Sequence, residues 1–472
     1  MSDAKPLVPS RLDRLLRLVT DVEAGEGSQA VLLALNIFLI LTAYYVLKPI
    51  REALILAEGS AELKTYMSAG IAVALVPLVH GYGRLADRFP RRRLINVVTF
   101  LFAACLVLFY LLAQTGVRLA IPFYLWIGVF NVMIVAQFWA FANDIYTSDE
   151  GERLFPLIGF GMSLGAVLGA GIAGQLIGPL GVNQLMLVGG ALLVLSTLIT
   201  NYVDRRQRER TETELPVAET TAQLPAATGQ FRAATGEFRT LTAEQKVDSG
   251  SGRGAFALVF RTRYLLLIAL MILLANWVNT TGEYVLSSVV DHAAEAAVAA
   301  GTAGGMSEGQ YIGKFYSDFF LVVNVIAVLG QLFLVSRVIK YLGIRYGILI
   351  LPLIAVLGYG VLVFYPLLAA VRVVKTGENA TDYSLQNTIK NALWLPTTRE
   401  QKYKAKQAID AFFVRAGDVM SAGLVFVGTS YLALAPGGFA VVNVALGLVW
   451  VLIAMAIGRS YTHLTATGQP PV

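Results

Sequence analysis

The chain has 472 residues, of which 56% are hydrophobic and only 14% charged, with a mean hydropathy of +0.65. Soluble globular chains carry roughly 25% charged residues, so the composition excludes a protein that lives in water. A single cysteine, Cys105, excludes a disulfide framework or a cysteine-built metal site, and the histidines His80, His292 and His463 are too scattered for a metal centre.

Residues 1–27 are expected to form a polar cytoplasmic tail without the apolar stretch of a cleavable signal peptide. Inside it, residues 10–21 fit an amphipathic helix. Ser10 is the N-cap, Leu12, Leu15, Leu16 and Val19 share one face, and Arg11, Arg14 and Arg17 lie off it. Such a helix suits the inner leaflet surface; an extension of the first span is the alternative. Crossing a bilayer takes about 20 apolar residues. On that length, spans are predicted near 29–56, 62–86, 93–115, 118–146, 153–178, 182–203, 264–290, 310–339, 346–371, 379–396, 407–433 and 438–458.

These spans group into a bundle over 28–204 and another over 263–459, joined by 205–262 and followed by a cytoplasmic tail at 460–472. The joining segment contains a tandem heptapeptide at 226–239 and has too few aliphatic residues to pack a core, so a flexible cytoplasmic linker is expected. Lysine and arginine cluster in the amino-terminal tail, at 84–93, at 205–208 and at 399–406, all on one side of an even-numbered topology. The other side is assigned only Lys64, Arg118, Lys314, Arg372 and Lys375. This asymmetry predicts that both termini are cytoplasmic, and the expected setting is a bacterial inner membrane. It also accounts for the net charge of +6 without a nucleic-acid partner.

The halves echo one another. Residues 83–92 close the second span as 336–345 close the eighth, an offset of 253, and 147–150 match 397–400 at an offset of 250. The expected fold is therefore all-α and polytopic, about twelve helices in two pseudo-repeated six-helix bundles, the major facilitator architecture. Arg84, Asp87 and Arg88 fall in that superfamily's loop motif. With Asp144, Arg337, Asp410 and Asp418 they are expected to act as gating groups.

A charge at mid-membrane costs about 2.5–3.5 kcal/mol on insertion scales, so charges inside spans mark a wet cavity. In the first span Tyr44, Lys48 and Arg51 share a face at helical spacing, with Glu52 at its edge and Tyr45 beside them. The fourth span carries Trp139, Asn143 and Asp144. The seventh has a polar stripe of Asn276, Asn279, Thr280, Glu283 and Ser287. The tenth presents Asn387, Lys390 and Trp394, and the eleventh Arg415. Glycines 161, 165 and 169 of the fifth span, continued by Gly174 and Gly178, form a ridge for close helix packing. Cations beside flat rings suit an organic anion. No intact P-loop, catalytic triad or metalloprotease motif is present, so transport without a cofactor, not catalysis, is expected.

Three stretches resemble the ATP/ADP translocase family. They are Tyr44-Tyr45-Val46-Leu47-Lys48-Pro49-Ile50-Arg51-Glu52-Ala53-Leu54, then Gln137-Phe138-Trp139 with Asn143-Asp144 and 153–159, then Lys402-Tyr403-Lys404-Ala405-Lys406 through Asp410 to Arg415-Ala416-Gly417-Asp418. The resemblance implies exchange of ATP for ADP or a related phosphorylated anion by alternating access, with Lys48, Arg51, Glu52 and Glu283 as site residues. It departs from the intracellular-parasite members at Arg51-Glu52, where they carry Lys-Asp, and at Pro49. The expected partners are the anionic solute and the lipid bilayer, with a monomer as the working assembly. Two other readings remain: a proton-coupled carrier of another solute, using Glu52, Glu283, Asp410 and Asp418, and a non-transporting scaffold or sensor.

Overall fold

Lipid offers the backbone no hydrogen-bond partners, so long apolar runs satisfy their own amides as helices. The computed structural model describes residues 10–17, 20–214, 254–398, 400–468 and 470–471, and no strand occurs among them. The first half contains α1 (Arg11–Leu16), α2 (Gly27–Ala57), α3 (Ala61–Arg88), α4 (Arg91–Ala113), α5 (Ala120–Ile145), α6 (Ser148–Leu180) and α7 (Gln184–Glu214). The second contains α8 (Ala255–Arg261), α9 (Arg263–Ala299), α10 (Glu308–Leu329), α11 (Val335–Gly347), α12 (Ile350–Phe364), α13 (Leu368–Thr381), α14 (Asn387–Ala392), α15 (Lys406–Ala408), α16 (Val414–Ser430) and α17 (Pro436–Thr467). Turns of π-helix at Gly330–Leu334, Asp382–Gln386, Gln401–Ala405 and Ile409–Phe413 join the shorter pieces into continuous rods. Among the described residues, nine helices are long and apolar enough to cross a membrane. The protein is thus a polytopic helical membrane protein. The heptapeptides at 226–239 lie outside the described residues.

The ninth and tenth spans differ from expectation. Hydropathy runs unbroken to 371, but α12 stops at Phe364 because Pro366 lacks an N–H and pushes the preceding residue off helix; Tyr365 sits at φ −133°, ψ 69°. The next helix then starts at Leu368, not 379. Lys375, assigned to an outer loop, lies inside a helix and is buried. Lys64, counted with the same loops, is also buried in α3. Helix α7 continues past 205 to Glu214, α8 forms at 255, and α17 reaches Thr467.

Successive long rods alternate between the end that carries both termini and a far end. In the first half α2 packs on α5, α6 and α7. The glycine ridge makes this possible: a methyl at Gly161, Gly165 or Gly169 would run into the carbonyls of Ala34, Phe38 or Thr42 on α2. Gly178, by contrast, faces open space. In the second half α9 takes the central place against α13, α16 and α17, and Gly417 abuts the backbone of Leu273 and Trp277. The halves meet where α10 lies on α2 and α6, and where α3 lies on α9 and α16. Segments α11, α14 and α15, at the terminus end, make no extended contact with first-half helices.

Helix α1 is short but anchored. The Ser10 hydroxyl accepts the Asp13 N–H at 3.1 Å and the Asp13 carboxylate accepts the Ser10 N–H at 2.8 Å, a capping box. The same carboxylate accepts the N–H groups of Gly25 (3.2 Å) and Gly27 (3.0 Å), so it staples α1 to the start of α2. Burial pushes the Asp13 carboxyl up, but the hydrogen bonds from Ser10, Gly25 and Gly27 outweigh it and hold the group below its ordinary value. The staple is therefore present above the usual carboxylate range and lost as pH falls through the depressed value.

Two outcomes follow from this packing. Gly165→Ala should destabilise the purified protein by about 1–3 kcal/mol through overpacking, read as a lower midpoint of thermal unfolding, whereas Gly178→Ala should leave the midpoint in place. Asp13→Ala should speed tryptic cleavage at Arg14 and Arg17 at neutral pH about tenfold, since orphaned buried donors cost about 1–3 kcal/mol; an unchanged rate would show that the staple carries no weight.

Candidate functional site

The spacing of four and three on α2 aims Tyr44, Lys48 and Arg51 at the interior, and Pro49 is taken up within the unbroken helix. Lys48 is buried among rings. Its ammonium lies 3.9 Å from the ring centroid of Phe320 on α10, 5.2 Å from Tyr45 and 6.0 Å from Tyr44. It makes no ion pair with a carboxylate of the described residues. The Arg51 guanidinium lies 4.7 Å from the Tyr124 ring of α5, and its Nε donates to Glu52 Oε1 at 3.0 Å.

From Glu52 a row of alternating charges runs into the second half. Glu52 Oε2 is 2.8 Å from Lys64 Nζ on α3. Lys64 Nζ is 3.6 Å from Glu283 Oε2 on α9. Glu283 Oε1 is 3.4 Å from Lys375 Nζ on α13, and Lys375 is 2.9 Å from Glu378. Hydroxyls and amides fill the remaining positions. Lys64 donates to Ser287 Oγ at 2.7 Å, and Ser287 and Tyr316 share a hydrogen bond of 2.9 Å. Lys375 donates to Asn279 Oδ1 at 2.9 Å, Asn379 donates to Glu283 at 3.2 Å, and Tyr359 donates to Glu378 at 2.8 Å. Arg51, Lys64 and Lys375 balance Glu52, Glu283 and Glu378. Lys48 is left over, so the cluster carries one net positive charge.

The cluster sits between mid-span and the far end. Toward the terminus end the ion pairs are wetter. Lys390 pairs with Asp382 at 3.4 Å with about a third of each side chain exposed, and Lys406 pairs with Asp410 at 3.2 Å. Together with the separation of α11, α14 and α15 from the first half, this places the closer contact between the halves toward the far end.

The remaining expected residues are placed as follows. Asn276 and Thr280 bond to Asp418, at 2.8 and 2.9 Å, and Arg415 pairs with Asp418 at 3.3 Å. These four form a joint between α9 and α16 inside one half. Trp139 is buried edge-on against Phe138 and Phe155, apart from the charge row. Asn143 is half-buried and Asp144 exposed at the end of α5. Asn387 is half-buried on α14, and Trp394 is buried in the turn after it. Arg84 and Arg88 are exposed at the end of α3, while the Asp87 side chain lies outside the description. Arg337 is exposed and donates to the Phe333 carbonyl of its own rod.

Lys64, Lys375, Glu378, Tyr316 and Asn379 belong to the cluster and were not among the expected site residues. The first two were assigned to loops by the charge count. A signal was present: Lys375 and Glu378 stand three apart, a helical ion-pair spacing, with Asn379 beside them.

Comparison with known proteins bears on this arrangement. ADP,ATP carrier protein 2 of Chlamydia pneumoniae is 23% identical, with the match covering 98% of this chain and 93% of that one. ADP,ATP carrier protein 1 of Chlamydia muridarum is 25% identical over 72% of this chain and 64% of its own. Among solved structures, the nucleoside transporter NupG matches with a TM-score of 0.55 at 14% identity, covering 92% of this chain and 99% of that one. A bacterial homologue of the iron transporter ferroportin, in an inward-facing state, matches with a TM-score of 0.58 at 12% identity, covering 92% and 98%. Those structural likenesses establish the fold. The family profile described as Major Facilitator Superfamily matches residues 30–400. With its polytopic helical plan and a row of charges joining its two halves, the chain is a secondary membrane transporter and belongs to the Major Facilitator Superfamily.

Proposed function

We propose that this transporter exchanges nucleotides, ATP for ADP or a closely related phosphorylated anion, by rocking its halves around the central cavity. The observation that carries the reading is Lys48: a buried ammonium set among the rings of Tyr44, Tyr45 and Phe320, with no ion-pair partner among the described carboxylates. A solute with both negative charge and a flat ring completes that environment. The ADP,ATP carriers of Chlamydia support the same class of cargo. An empty cavity leaves the Lys48 charge in a low-dielectric passage, which disfavours reorientation without cargo and so couples entry to exit. The basic loops 84–93, 205–208 and 399–406 support a bacterial inner-membrane setting with both termini cytoplasmic.

One observation favours a second reading. Glu283 is 24% exposed, the wettest carboxylate of the charge row, and is thus open to a proton. A proton-coupled carrier would show uptake driven by a pH gradient and indifferent to competing nucleotides.

The test is uptake of labelled ATP and ADP by proteoliposomes, preloaded with nucleotide or empty. Preloading should be required, and equal uptake into empty vesicles would contradict exchange. Lys48→Ala should lower kcat/KM about 10–100-fold, matching loss of about 1.5–3 kcal/mol for a charged hydrogen bond; Lys48→Arg should lose less.

A further inference from the structure

Among the described residues, the row of charges crosses between the halves at one ion pair, Lys64 of α3 with Glu283 of α9. At 3.6 Å it is the longest pair of the row. Lys64 is the hub of the closure, because three second-half groups converge on it: Glu283, Ser287 at 2.7 Å and Tyr316 at 3.4 Å. Each member of the crossing pair also has an alternative within its own half. Lys64 lies 2.8 Å from Glu52. Glu283 has Lys375 at 3.4 Å and the Asn379 amide at 3.2 Å. Glu283 is the exposed member of the row, at 24% against 1% for Glu52 and 3% for Glu378.

A buried pair is costly to break only when a charge is left uncompensated. Here neither group would be. Glu283 retains a cation and an amide donor, and Lys64 retains a carboxylate. An anion arriving at Lys48 and Arg51 repels the exposed Glu283 and attracts Lys64, so it acts on both members of the weakest link. We propose that Lys64 and Lys375 are coupling residues of the transport cycle. They share Glu283 across the two halves, and a bound anion engages Lys64 and leaves Glu283 to Lys375, which undoes the tie at the far end. Lys375 acts through Glu283 and is in this sense a positioning residue, whereas Lys64 meets the anion itself. The proposal deepens the anion-exchange reading and rests on it.

The experiment measures far-end separation by spin-label distances in the full chain in nanodiscs. Labels go on Thr115→Cys and Leu432→Cys, both exposed and in opposite halves, in a Cys105→Ser background. The parent should give short distances alone and a longer population with ADP. Glu283→Gln should raise the long-distance population about threefold or more without ADP. Its long-distance population should also lose its dependence on ADP, a readout that a purely structural role would not move. If Glu283→Gln fails to fold, Glu283→Asp serves, since a shorter arm cannot hold a pair already at 3.6 Å. A Glu283 variant that keeps the parent's short distances, and still requires ADP to open, overturns the proposal. If ADP neither binds nor shifts the parent while Glu283→Gln opens it, the nucleotide reading fails and the crossing tie stands.

Discussion

An ion removed from water loses several kcal/mol of hydration, and only a close counter-charge restores most of it. The interior of this protein is organised by that constraint. Lys375 is fully buried and Glu378 nearly so. Either alone would be untenable, and together they are anchored by Tyr359 and Asn279. Each further member of the row depends on the one before it, from Arg51 to Glu378. Helices α2, α3, α9 and α13 are therefore fixed in mutual register by electrostatics as well as by shape. The glycine seams serve the same end: Gly165 brings α6 onto the backbone of α2, and Gly417 brings α16 onto α9, so the two charge-bearing helices are gripped closely from behind.

The two halves contribute differently to the cluster. Lys48 stands on α2 beside Tyr44 and Tyr45, and Glu283 stands on α9 one turn after Asn279. The first half supplies the surplus cation and the rings of Tyr44 and Tyr45, and the second adds the ring of Phe320. The second also supplies Glu283, a carboxylate within reach of two lysines. Two identical halves would place like charges opposite each other and offer no such division of labour.

Much of this was legible in the residue order. Lys48, Arg51, Glu52 and Glu283 stand out because charge is improbable within an apolar run, and their helical spacing fixes the face they share. The glycine ridge was equally plain. What was not legible depended on tertiary proximity or on one proline. Lys64 lies one turn from a helix start, where hydropathy cannot distinguish a loop lysine from a buried one. Pro366 divides an apolar stretch that composition alone fuses, and the error moved Lys375 and Glu378 out of the bundle. Arg415 and Asp418 show the converse. They carry the same conspicuous charges inside a span, yet they hold α16 to α9 within one half.

The π-helical turns at Gly330–Leu334 and Asp382–Gln386 lie side by side, with Gly330 facing Ser384 and Gln331 bonded to Thr388. Each such turn accommodates one residue more than regular winding allows, and one residue is roughly 100° of azimuth about the helix axis. Single-residue gaps here therefore have geometric meaning when relatives are aligned. A relative lacking one residue between 382 and 386 would turn the helix that follows, with Asn387 and Lys390, to a different azimuth against its neighbours. Insertion or deletion at this point re-aims the whole rod without the substitution of any side chain on it.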